Sequence, residues 1–169
     1  MLSNIQSFSR YEDDFDQSNF DYANKDAMVM ERLTASPYVV DIFTTCGATQ
    51  VIEYSEGGNI HDLIKIARLA GVDKMPSIDK LRICVQIVAA VADMHSFEKD
   101  GIPSLSHNDL CCHQFLLVDG VYKLNDFHLA KYMKKNKNTN EMCPTTIPGF
   151  NSNVSTIAAM MHWFVSLFS

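Results

Sequence analysis

Two apolar runs of four residues, Phe115–Val118 and Val121–Leu124, are separated only by Asp119-Gly120, and no other stretch constrains the fold as tightly. An Asp-Gly pair tolerates the positive φ that a two-residue hairpin turn requires, so a tight antiparallel hairpin is expected at 115–124. A polar motif carrying a carboxylate stands at each foot of that hairpin. His107-Asn108-Asp109-Leu110 precedes it, with Gln114 just ahead of the first strand, and Asn125-Asp126-Phe127-His128 follows it. A hairpin is stiff, so side chains at its two feet are held in a defined relation to each other.

Upstream, the pattern alternates between helix and strand. From Asp26, the spacing of Val29, Met30 and Leu33 predicts a helix that Ser36-Pro37 ends. Tyr38–Phe43 and Gln50–Tyr54, on either side of Cys46-Gly47-Ala48, read as an antiparallel strand pair. Glu56-Gly57-Gly58-Asn59 breaks the second strand, and Ile60–Ala70 reads as a helix stopped by Gly71. Pro76-Ser77 opens the longest helix, where Leu81, Cys84, Val85, Val88, Val91, Ala92 and His95 share one face, which is therefore expected to be buried. Residues 1–22, Lys99–Ser106 and Lys131–Asn153 show no sustained period and read as loops. The glycines at 57 and 58 place a hinge, and with it a cleft, between a small strand-bearing part and a helical part.

In this order and spacing, the two polar motifs resemble the protein kinase superfamily. Its catalytic loop reads H-R-D-L-x-x-x-N and its metal-binding turn reads D-F-G. Here the corresponding residues are H-N-D-L-C-C-H-Q and D-F-H. Val51 to Gly58 resembles the last strand and hinge of the family's small lobe, and the helix from Asp26 resembles its regulatory helix. The resemblance covers roughly residues 26–133 and implies an α+β class: a partial protein-kinase-like fold, with a remnant small lobe and the first half of the helical large lobe. The implied division is an acidic flexible segment at 1–25, the small-lobe remnant at 26–55, the partial large lobe at 56–149 and an apolar tail at 150–169.

The resemblance also implies a chemistry: transfer of the ATP γ-phosphate to a protein hydroxyl, with Mg2+ as the accompanying ion. Asp109 takes the place of the catalytic base, Asp126 that of the principal magnesium ligand and Gln114 that of the second ligand. Ile52, Glu53, Tyr54 and Ser55 take the place of the adenine-facing hinge segment, with Ile52 as gatekeeper. The implied partners are ATP and a protein, either as substrate or as binding partner.

Five features depart from the family pattern. Gln114 stands for Asn and adds a methylene to a ligand of an ion that demands strict octahedral order. His128 stands for Gly, and Asn108 stands for the Arg that would pair with a phosphorylated loop residue. The helix carboxylate is Asp26 rather than Glu. Residues 1–24 contain no glycine and no lysine, so this chain shows neither the glycine-rich loop nor the strand lysine that grip the phosphates. The expectation is a kinase-domain fragment inactive on its own. The alternative is a pseudokinase-like module that binds nucleotide or protein without transfer.

Charge and cysteine content narrow the setting. A net charge of −6 with no basic block to offset the early acids excludes a general nucleic-acid binder. Five cysteines, an odd count with Cys111 and Cys112 adjacent, do not form a secreted disulfide framework and read as thiols of an intracellular, cytoplasmic protein. The adjacency also spoils the spacing of a zinc site. The tail from Val154 to Phe168 falls short of the roughly 20 apolar residues a membrane span needs. Packing on the domain is its expected role, and lying at a membrane interface is the weaker alternative.

Overall fold

A computed structural model describes the backbone of residues 3–7 and residues 17–69, 75–98, 104–133 and 138–139. The order is β1 (Ser3–Ser7), α1 (Gln17–Leu33), β2 (Ile42–Cys46), β3 (Thr49–Glu53), α2 (Ile60–Leu69), α3 (Ser77–His95), β4 (Leu105–Ser106), a 3-10 turn (Cys112–Gln114), β5 (Phe115–Val118), β6 (Val121–Leu124) and β7 (Lys131–Tyr132). The hairpin forms with the expected bounds. Val118 faces Val121 across a turn in which Asp119 and Gly120 both take positive φ, 50° and 78°. The class is α+β, with short antiparallel sheets around three helices among the described residues.

The N-terminal part departs from expectation. Residues 3–7, read as loop, form a strand that pairs antiparallel with β3, so the sheet runs β1-β3-β2. Helix α1 starts at Gln17, well before Asp26, and takes in residues 17–25 of the segment expected to be flexible. Its first turns are polar, and Gln17 bonds the Asp21 carboxylate one turn on at 2.8 Å. Little apolar periodicity marks that end, because the helix begins to bury side chains only from Ala23.

Strand β2 begins at Ile42 rather than Tyr38 for a tertiary reason. The backbone at Tyr38–Val40 is occupied by β6: Leu124 N–H donates to Tyr38 O at 2.8 Å, and Val40 N–H donates to Leu124 O at 3.0 Å. This parallel bridge ties the small sheet to the hairpin across the centre of the molecule. Val39, Val40, Ile52, Leu124 and Phe127 are almost wholly buried there. A second local pairing was also not anticipated: Leu105 and Ser106 form β4 and pair with Tyr132 and Lys131, at the start of a stretch read as loop.

Helix α3 buries a different face from the one its spacing suggested. Ile83, Ile87, Ala90, Val91 and Met94 face the core, while Leu81, Val85 and Val88 are 58%, 56% and 53% exposed. The helix is apolar on two sides, so periodicity cannot choose between them. The choice is made by β6, whose Tyr122 N–H donates to Gln86 Oε1 at 3.1 Å. The apolar tail at 150–169 lies outside the described residues, as does most of the basic stretch after Tyr132.

Candidate active site

The catalytic-loop motif is anchored by a histidine that no solvent reaches. His107 is fully buried, with Nε2 3.1 Å from Asn125 O and Nδ1 accepting the Asp109 N–H at 3.4 Å. An acceptor at Nδ1 assigns the ring proton to Nε2, which donates to Asn125. Burial pushes the His107 pKa below the ordinary histidine range, while the Asn125 carbonyl, Asp126 and Asp109 pull the other way. One imidazole thus links the two motifs as a neutral support, with both carboxylates within electrostatic reach.

Asp109 and Gln114 are brought together: Gln114 Nε2 donates to Asp109 Oδ2 at 2.9 Å. Gln114 closes the 3-10 turn, and its carbonyl accepts the Asn125 N–H at 2.8 Å, so the loop carrying Asp109 and the turn carrying Asp126 share one backbone link. Asn108, at φ 65°, receives Ser106 Oγ at 2.9 Å and donates through Nδ2 to Leu129 O at 3.0 Å. Where the family places an arginine, this chain has an amide stitching the loop to the segment after the metal turn.

The turn at Asp126 is strained. Asp126 takes φ 66°, a conformation that costs a non-glycine residue about 1 kcal/mol or more and persists only under surrounding constraint. Its neighbours supply that constraint. Phe127 is fully buried, its ring 5.0 Å from that of His107, and its N–H donates to Asp26 Oδ1 at 2.6 Å. His128 turns back so that Nδ1 meets Asp126 Oδ1, while its ring stands edge-on to Tyr22 and its carbonyl accepts Lys25 Nζ at 3.2 Å. A cavity of about 260 Å³ opens here, lined by Asn19, Tyr22, Ala23, Asp26, His128 and Leu129.

Asp26 is itself buried, and burial drives its carboxyl pKa above the ordinary aspartate value. The Phe127 N–H and the Gln50 amide lower it by less. Gln50, also buried, donates Nε2 to Ala23 O at 3.0 Å, and its Oε1 finds no partner among the described residues. Strand β1 places Gln6 opposite Gln50 in the ladder, and Ser3–Ser7 contains no lysine.

The hinge segment adjoins this frame. Ile52 is buried in the core, and Tyr54 is 41% exposed. Glu53 N–H is already used by Asp41 O at 3.0 Å, and the Glu53 carboxylate binds Lys123 Nζ of β6 through both oxygens at 2.8 Å. Ser55 Oγ donates to Leu117 O at 2.9 Å, and Leu117 N–H donates to Gly58 O at 2.8 Å. Gly57 is required by this contact: a Cβ there would lie 2.3 Å from a Leu117 methyl.

The Glu53–Lys123 pair, the amide role of Asn108 and the Asp26–Phe127 bond were not anticipated. Each joins positions tens of residues apart or depends on a rotamer, so no local pattern marks them. The family model for protein tyrosine and serine/threonine kinase matches residues 10–150. The chain belongs to the protein kinase family.

Proposed function

We propose that this chain is a phosphotransfer-deficient kinase-like module: it retains the family's nucleotide-facing frame but does not by itself move phosphate from ATP to a protein hydroxyl. The observation that carries this reading is the setting of Asp26. In the family, the helix carboxylate pairs with a strand lysine that holds the ATP phosphates. Such a partner would lower the carboxyl pKa. Here burial raises it, the carboxylate accepts the Phe127 N–H, and no salt bridge reaches it among the described residues. The neighbouring strand offers glutamine and serine rather than lysine. Without that ammonium, the γ-phosphate is neither aligned nor neutralised, and catalysis of this kind is mostly positioning and charge stabilisation.

Within this reading, Asp109 keeps the position of the base, Asp126 that of the principal Mg2+ ligand and Gln114 that of the second. The donor set suits a magnesium ion shared with phosphates and water, since such an ion needs only one or two protein carboxylates. Asp126 must first part from His128 to serve it, and Gln114 would ligate through Oε1, the amide oxygen, while Nε2 donates to Asp109. Bound magnesium would screen phosphate charge. Residues Ile52 to Ser55 would meet the adenine through backbone groups, and a protein is the expected second partner.

A second reading is supported by the backbone of Asn108 and Asp126, both held at positive φ. Strain of this kind is kept at working sites. On that reading the chain is the catalytic half of an active kinase whose phosphate grip is supplied from elsewhere. A radiolabelled transfer assay on purified chain with excess Mg-ATP, run beside Asp109→Ala, separates the two. The proposal expects no difference between them, and transfer that disappears in Asp109→Ala would overturn it.

A further inference from the structure

Two imidazoles meet beside the loop that carries Asp109, and neither takes part in the frame around Asp109 and Asp126. His61 stands in the first turn of α2 and His113 in the 3-10 turn at Cys112–Gln114. Their ring centroids are 4.2 Å apart, with the ring planes tilted by 31°. Both side chains are exposed. His113 precedes Gln114, whose amide donates to Asp109, so the pair adjoins the loop closely.

The backbone holds both partners in place. Leu117 N–H donates to Gly58 O at 2.8 Å, and Asn59 bridges antiparallel to Leu116, so the start of α2 is fixed to the strand that follows His113. Asp62 N–H donates to Asn59 Oδ1 at 3.0 Å, and Asn59 N–H donates to Asp62 Oδ2 at 3.3 Å. This reciprocal cap fixes the first turn of the helix. On the other side, Gln114 N–H donates to Cys111 O at 3.0 Å and closes the turn that carries His113. Ligands set on fixed elements need little ordering when an ion arrives.

Adjacent neutral imidazoles are the donor set of a zinc-class ion. Zinc holds imidazole nitrogen at about 2.0–2.1 Å, so two nitrogens on one tetrahedral ion lie roughly 3.4 Å apart. Rings with centroids 4.2 Å apart reach that spacing by rotation about χ2, which is broad for histidine. The Asp62 carboxylate, in the same turn as His61, offsets the positive helix end that would otherwise repel a cation. We propose that His61 and His113 form an open two-histidine site for a divalent transition ion of the zinc class. Among the described residues no third histidine, cysteine or acidic side chain completes the set. The remaining positions are open to water or to a donor atom of a protein bound next to Asp109. Magnesium takes oxygen ligands and does not compete for this pair, so the site is chemically separate from Asp126.

Titration calorimetry of the full chain with Zn2+, in excess Mg2+, tests the site in the wild type, His61→Asn and His113→Asn. Each variant should bind Zn2+ at least about tenfold more weakly, because the second imidazole of a chelate binds as an intramolecular step. Both side chains are exposed, so the substitutions leave the fold intact. Co2+ in place of Zn2+ should bind without the charge-transfer absorption that thiolate ligands give. On the wild type, Zn2+ should protect His61 and His113 together from acylation by diethylpyrocarbonate, followed by mass spectrometry, a readout that needs no variant. No Zn2+ binding by the wild type, or unchanged affinity in either variant, overturns the proposal. A thiolate absorption assigns the ion to the cysteines and also overturns it, as does protection of only one of the two histidines.

Discussion

The carboxylate of Asp26, on α1, accepts the backbone N–H of Phe127 at 2.6 Å although the two residues are 101 positions apart. This bond joins α1 to the Asp126–His128 turn. Because burial raises the Asp26 pKa, the folded state holds this proton more strongly than the unfolded state does. Stability from this group is therefore fully present below the ordinary carboxylate value of about 3.9 and is lost as pH rises through the higher folded value. Asp26→Asn should remove that slope while keeping an oxygen for the Phe127 N–H. Asp26→Ala should cost about 1–3 kcal/mol through the orphaned amide. Urea unfolding at a series of pH values checks both, and an unchanged slope in Asp26→Asn would refute the assignment.

Glu53 and Lys123 form a nearly enclosed ion pair, with side chains 16% and 14% exposed. Removing one charge from such a pair leaves the other without compensation, at a cost of about 3 kcal/mol. Lys123→Met should show that loss, and the double variant with Glu53→Gln should recover a large part of it. A double-mutant cycle by chemical denaturation measures the coupling; additive effects of the two changes would count against it.

Gly57 sits where a methyl group would strike the Leu117 side chain. Gly57→Ala should destabilise the chain by about 1–3 kcal/mol through overpacking. Leu117→Ala in the same chain should return part of the loss, because it clears the space. Thermal melts of the wild-type chain and the two variants decide the point, and Gly57→Ala with wild-type stability would show that the Leu117 side chain gives way freely.

His128 holds one oxygen of Asp126, so a cation at Asp126 must displace it. His128→Ala should strengthen the magnesium-dependent part of nucleotide binding about tenfold, comparable to the worth of one charge-assisted hydrogen bond. Titration calorimetry with and without Mg2+ tests this. Equal magnesium dependence in both proteins would remove His128 from the account.

Local chemistry alone determined the hairpin. Asp119-Gly120 flanked by two apolar runs leaves few other conformations, and the strands formed with the expected bounds. The same holds for α2 and the start of α3, set by Gly58-Asn59 and Pro76. The motif order was also legible, because His107 to Gln114 and Asn125 to His128 are contiguous stretches whose spacing survives in the linear chain. What the fold decided is which of two options each ambiguous element took. Helix α3 is apolar on two sides, and only contact with β6 chose the Ile83–Met94 face. Tyr38–Val40 has strand character, but its hydrogen bonds went to Leu124 and not to the sheet. Asp26 reads as the helix carboxylate in place of the family's Glu, and only burial against Phe127 and Gln50 made it a raised-pKa acceptor of the Phe127 N–H. Hydrogen-bond partners and dielectric surroundings arise from residues distant in the chain, so the sequence specifies them only through the completed packing.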